Sequence, residues 1–241
     1  MGVDDQMSDT YNLLVKRLME NTQSRSIEDG QYWICLAGGP GAGKSTLSTA
    51  VCDIINSYSA PANICIVLPM DGFHYSRKQL REISERSGNP TYDELIARRG
   101  SHWTFDASAI CTALSEAKKL GTGVLPTYSR QLSDPVPGGV ELLPSHRIVI
   151  VEGNYMLNYD DPLWAPLKDL FDEKWYLSCP SIDEQRQRLI KRHLETWSDE
   201  KTRMWGDGEV GAARKADAND VLNAVFIETT IKYADFIITS L

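Results

Sequence analysis

Gly38-Gly39-Pro40-Gly41-Ala42-Gly43-Lys44-Ser45-Thr46 follows the apolar run Tyr32-Trp33-Ile34-Cys35-Leu36-Ala37 and opens a helical stretch from Lys44 to about Tyr58. The segment fits G-x-x-x-x-G-K-[ST], and a buried strand before it with a helix after it is the setting in which that pattern carries meaning. Its glycines let the backbone curl until successive N–H groups face a phosphate chain, and the helix amino terminus adds positive potential. Lys44 is placed to reach the outer phosphates, and Ser45 to offer its hydroxyl to Mg²⁺. Gly38 to Thr46 therefore reads as the phosphate loop of a nucleotide-binding protein.

Outward from this loop the strand pattern repeats. Ile64 to Leu68, Ile148 to Val151, Trp175 to Leu177 and Phe236 to Ile238 are short apolar runs separated by helical stretches. Five such strands imply an α/β fold in three layers around a central, mostly parallel sheet. Leu13, Leu14, the stem of Arg17 and Leu18 predict an amphipathic helix over about 8–23, capped by Ser8 or Asp9. Between Pro126 and Pro144, the residues Pro135, Pro137, Gly138 and Gly139 make a stretch too broken for regular structure. Ile182 to Trp197 reads as a basic helix, and Ser198 to Ala216 is polar and contains glycine, so 181–216 is expected to act as a hinged lid. Asp220 to Tyr233 restores an amphipathic helix with Val221, Leu222, Val225 and Phe226 on one side.

A chain of 241 residues, 42% of them apolar and 24% charged, suits one sizeable domain over 1–241. The net charge of -8 gives no domain-wide footprint for nucleic acid. No run of 18 apolar residues exists and the first ten residues are acidic, so neither a membrane span nor a signal peptide is expected, and the cytoplasm is the expected location. Five cysteines without a C-x-x-C pair read as buried hydrophobes in a reducing compartment. Four histidines without zinc spacing argue against a protein-built zinc site. The apolar helix faces are compatible with a homodimer and leave the oligomeric state open.

The same phosphate loop serves GTPases, motor ATPases and metabolite kinases. No N-K-x-D base-reading segment occurs, and the strand at Ile148 ends in Glu152-Gly153-Asn154-Tyr155 where an ATPase usually has Asp or Asp-Glu. The strand at Ile64 runs into Pro69-Met70-Asp71-Gly72-Phe73-His74, which sets Asp71 at a strand's carboxyl end, where open α/β sheets place ligands. A carboxylate there suits a base that accepts a hydroxyl proton during phosphoryl transfer. A turn aspartate before a glycine is the structural alternative.

GGPGAGKST, MDGFHY, RRGSHWTFD, LPTYSRQLSD, IVIVEGNYML and ADANDVLNA occur in that order. From Trp33 to the end the chain resembles the uridine kinase, phosphoribulokinase and pantothenate kinase superfamily, and within it the subgroup with DGFH and EGNY signatures, which includes uridine-kinase-like and fructose-transport-kinase-like proteins. The resemblance implies Mg²⁺-ATP on the glycine loop, a mobile lid, Asp71 as base and Lys44 as transition-state cation. It further implies an acceptor pocket with Phe73, His74, Arg98, Tyr128, Arg130 and Glu152, and a metal site from Ser45, Asp71 and Glu152. Arg188 or Arg192 would close on the nucleotide from the lid, and Asn219, with Asn223, would lie near adenine. The expected function is transfer of the γ-phosphate to a hydroxyl of a small metabolite, such as a nucleoside like uridine, pantothenate or a sugar. A regulatory ATPase without an acceptor is the alternative of a different class.

Overall fold

Every residue of Tyr32–Ala37 is buried, and the strand β1 that it forms, which follows helix α1 (Val3–Gln23), feeds two cores. Trp33, Cys35 and Ala37 enter one cluster, whereas Tyr32, Ile34 and Leu36 enter the other. That period of two, with both faces apolar, is what a central strand of a covered sheet requires. The structure, a computed structural model, describes residues 3–26 and 29–241, with side chains described from residue 7 onward outside 27–28. Met1 and Gly2, part of the single-domain expectation, lie outside the described residues.

After β1 the chain forms α2 (Lys44–Tyr58), β2 (Cys65–Pro69), α3 (Arg77–Ser87), α4 (Tyr92–Ala97) and α5 (Ala107–Leu120). Then come β3 (Gly123–Ser129), β4 (Asp134–Leu142), β5 (Ile148–Gly153) and β6 (Glu173–Ser178). The chain ends with α6 (Ile182–Glu195), α7 (Asp199–Trp205), α8 (Gly208–Lys215), α9 (Val221–Glu228) and β7 (Phe236–Thr239). The main sheet has the order β2-β5-β1-β6-β7 and every pairing in it is parallel. Leu14 and Leu18 of α1 with Leu47, Val51 and Ile55 of α2 cover one face, and Ile110, Leu114 and Ala117 of α5 cover the other. Each fully buried leucine of this kind contributes about 1.5–3 kcal/mol relative to exposure.

Four expectations are corrected. Helix α1 begins at Val3 and runs through Ser8 and Asp9, which therefore cap nothing, and Leu13 is exposed while Met7, Tyr11, Leu14, Val15 and Leu18 face the core. The stretch 126–144 is ordered: β3 and β4 form an antiparallel hairpin of their own. Prolines are tolerated because a two-stranded ribbon leaves one edge of each strand unpaired, and the register shift between Leu125 and Thr127 takes up Pro137 and the glycine pair. The segment 198–216 contains α7 and α8, whose Ala212, together with Ala216 beyond, packs on Leu189 and Ile190 of α6 as a small separate core. In α9 the apolar side anticipated to face inward is the outer one. Leu222, Val225 and Phe226 are exposed, whereas Asn223, Ala224 and Ile227 are buried. The π-helical turn Ala216–Asp220 leads directly into α9, and a π turn shifts the phase of the faces that follow it.

No helix among the described residues is long and apolar enough to cross a membrane. Cys35, Cys52, Cys65 and Cys111 are buried free thiols and Cys179 is half-buried.

Candidate active site

Between β1 and α2 the glycine loop turns tightly, with Gly41 at φ 82° and Gly43 at φ 96°, a region that residues with a Cβ rarely enter. No side chain caps the amino terminus of α2, so its first N–H groups remain free for an anion. Helix α6 lies against the loop: Gln185 Nε2 donates to the Pro40 carbonyl at 2.8 Å, and a Cβ on Gly39 would overlap the Gln185 amide. Lys44 Nζ donates to Asn154 Oδ1 at 2.7 Å and to the Gly39 carbonyl at 3.0 Å. Burial lowers the Lys44 pKa, against the opposing pull of Glu152 and Asp71.

Because β2, β5 and β1 are neighbours in the sheet, their carboxyl ends bring together Asp71, Glu152 and the phosphate loop. Asp71 sits in the short 3-10 turn Met70–Phe73 and is half-buried. This turn is pressed against β3, since a Cβ on Gly72 would overlap the Pro126 carbonyl. Glu152 Oε1 accepts from Ser45 Oγ at 3.0 Å. Burial raises the Glu152 pKa, while Lys44 pulls it down and Asp71 raises it further. His74 Nδ1 lies 2.8 Å from the Asp71 carbonyl oxygen, so that nitrogen carries the proton, and its ring centroid lies 5.0 Å from that of Tyr128. A cavity of about 380 Å³ is lined by the loop, Asp71, Glu152, Tyr128, Arg130, Arg188 and Arg192.

Several anticipated residues stand elsewhere. Arg98 turns away from the cavity, donating to the Ala218 carbonyl at 3.1 Å and Ser101 Oγ at 3.2 Å; its neighbour Arg99 lines the cavity instead. Phe73 is buried in the core beside Phe105 and Tyr155. Asn219 is buried, donating to the Arg99 carbonyl at 2.9 Å and accepting from Asn223 and Ser101, so its amide is spent within the protein. Arg188 is tied to Glu184 and Ser240, whereas the Arg192 guanidinium makes no hydrogen bond or ion pair among the described residues. Burial lowers the Arg192 pKa, with Asp220 and Asp71 opposing and Arg130 adding to the effect. Sequence reasoning missed Asn154 and Gln185. Asn154 lay in plain view inside EGNY, but a glutamine on a polar helix carries no signal of its own.

A phosphate loop on a parallel sheet, with two carboxylates at adjacent strand ends and an arginine reaching in from helix α6, defines a P-loop kinase. Over its whole length the chain is 32% identical to the "putative uridine kinase C227.14" of Schizosaccharomyces pombe, 95% of which is covered. It is 27% identical to the ATP-dependent kinase YFH7 of Zygosaccharomyces rouxii over 72% of the chain and 50% of that protein. Among solved structures, the "putative fructose transport system kinase" from Silicibacter sp. TM1040 has TM-score 0.75 and 28% identity, covering 95% of this chain and 98% of that one. YFH7 from Saccharomyces cerevisiae has TM-score 0.69 and 21% identity over 99% and 98% of the two chains, a likeness of fold. No protein-family model matches the chain. The chain belongs to the uridine-kinase-like family of P-loop kinases. It is a kinase, and nucleotide use goes with that membership.

Proposed function

We propose that the chain transfers the γ-phosphoryl group of ATP to a hydroxyl of a small metabolite, with Asp71 as the base. The observation that carries this reading is the meeting of Asp71, Glu152 and Lys44 around one cavity that opens past His74 and Tyr128 into a second, larger one. The first suits a nucleotide's phosphates and the second an acceptor.

In the reaction the Asp71 carboxylate takes the proton of the acceptor hydroxyl as its oxygen bonds to the γ-phosphorus. The bond from that phosphorus to the bridging oxygen breaks, and its electron pair leaves with ADP. Lys44, Arg130 and Arg192 stabilise the charge spread over the transferring oxygens, and a site shielded from water strengthens each contact. Asn154 holds Lys44 in place, and its carboxamide gives way once a phosphate oxygen offers the better acceptor.

A magnesium ion fits the residues present. Ser45 and Glu152 are hard oxygen donors already within hydrogen-bonding distance of each other, and Asp71 is close enough to raise the Glu152 pKa. No group of three or more His, Cys, Asp or Glu forms a metal cage among the described residues, which suits a cation held largely by phosphate and water. When bound, it would neutralise charge on the phosphate oxygens.

The test is ADP formation with Mg²⁺-ATP and a panel of nucleosides, pantothenate, sugars, sugar phosphates and polyols. An acceptor that raises ADP well above background supports the reading. Turnover that no acceptor accelerates would favour a regulatory ATPase.

A further inference from the structure

The second cavity measures about 650 Å³, and His74, Arg99, Tyr128, Arg130 and Arg192 line both it and the nucleotide cavity. Although the chain carries a net charge of -8, this cavity is basic. Arg77, Arg99, Arg130, Arg192, Lys201 and Lys215 line it, with Glu200 as the one lining carboxylate among the described residues.

Ion pairs account for only part of that charge. Arg99 pairs with Asp134 at 2.7 Å and Arg77 with Glu200 at 3.1 Å. Among the described residues Arg130, Arg192, Lys201 and Lys215 form no ion pair. Lys201 Nζ donates to the Thr196 carbonyl and hydroxyl, and Lys215 lies over the Trp205 ring; neither contact removes a positive charge. The buried Nε groups of Arg77 and Arg99 have no hydrogen-bond partner among the described residues.

Bound ATP would meet Arg130 and Arg192, which reach the nucleotide cavity. It leaves Lys201 and Lys215, which line the second cavity alone. Positive groups gathered in a cleft repel one another and raise the local concentration of anions. A neutral nucleoside or hexose would seat its hydroxyls among these ammonium groups without compensating them.

We infer that the acceptor is itself an anion: an alcohol carrying a carboxylate or a phosphate ester, whose charged group is held by Lys201 and Lys215 beside Arg77 while its hydroxyl meets Asp71. The inference rests on the kinase reading above and narrows its substrate class. Lys201 and Lys215 belong to the lid, so an anionic acceptor would also hold the lid against the body of the protein, and the lid would close on the correct substrate.

The experiment measures ADP formation at saturating Mg²⁺-ATP for acceptors that differ in the charged group alone: glycerol against glycerate and glycerol 3-phosphate, and ribose against ribose 5-phosphate. The expected result is a kcat/KM at least tenfold higher for a charged member than for its neutral partner, carried mainly by KM. The Lys201→Ala/Lys215→Ala double variant should erase most of that margin. Preference for glycerate or for a phosphate ester tells the two anions apart. Phosphorylation of glycerol or ribose, with charged acceptors no better, would overturn the inference and leave the kinase reading standing. If no acceptor supports turnover, the kinase reading fails, and the anion site is judged separately from the thermal stabilisation that inorganic phosphate gives to protein saturated with a non-hydrolysable ATP analogue. Stabilisation that the double variant loses upholds the site, and equal response of both proteins overturns it.

Discussion

Asp71, legible at a strand's carboxyl end, and Arg98, assigned to the acceptor pocket by the family resemblance, lie in neighbouring motifs, yet the structure gives them different work. Asp71 stands in the cavity, and Asp71→Asn is expected to lower phosphoryl transfer at least about a hundredfold with KM for ATP nearly constant, the effect of losing a positioned base; steady-state ADP kinetics checks it. Arg98 instead ties the segment before Ser101 to the π turn at Ala218. Hydrogen bonds from a charged group contribute about 1.5–3 kcal/mol, so Arg98→Ala should lower the melting temperature while changing the acceptor KM less than about twofold. A large rise in acceptor KM at unaltered stability would return Arg98 to the pocket. Two adjacent arginines give the sequence no means of telling which faces inward, since side-chain direction there follows from a 3-10 and turn geometry without a simple period. Asn219 is the same case: an amide before a helix reads equally as a ligand contact, a cap or, as found, an internal tie.

At the scale of elements, the contact between the Met70–Phe73 turn and β3 decides where Asp71 stands. Gly72 has no room for a Cβ beside the Pro126 carbonyl. Overpacking against backbone costs about 1–3 kcal/mol, so Gly72→Ala is expected to lower the urea midpoint and to reduce kcat more than KM for ATP, because the turn must move and Asp71 with it. Wild-type kcat in a destabilised variant would show that the turn's position does not matter. The hairpin behind that contact was not legible, because its prolines and glycines are the residues that normally deny a strand, and only the unpaired edges of a two-stranded ribbon accommodate them. Helix α6 was legible as a basic helix. The small core that α8 and Ala216 build on it was not, since alanines carry little weight in an apolar pattern.

For the molecule as a whole, the parallel sheet could be read strand by strand, because its strands are short apolar runs, most of all β1 and β5, which are buried on both faces and differ from everything around them. The direction of α9 could not, because the π turn before it rotates the helix and leaves Leu222, Val225 and Phe226 outside. All four histidines have pKa values held below the usual imidazole range, in each case chiefly by burial. Below about pH 6.5 the unfolded chain therefore binds more protons than the folded one, so this contribution is complete above that pH and is lost as pH falls through it. Glu152, whose pKa is raised by burial, works in the opposite direction as a single group. The melting temperature should thus be lower at pH 5.5 than at pH 7.5, by about 2–4 °C for each kcal/mol lost. Calorimetry at the two pH values checks it, and a flat or rising melting temperature would contradict it.

The central claim is that the γ-phosphoryl group ends on an acceptor hydroxyl through Asp71, and its fate can be followed directly with γ-labelled ATP, wild-type protein and the Asp71→Asn variant in the presence of the acceptor panel. The account predicts label in an organic phosphate ester formed by the wild type and nearly absent with the variant; label released as inorganic phosphate at the same rate with or without acceptor, in both proteins, would contradict it.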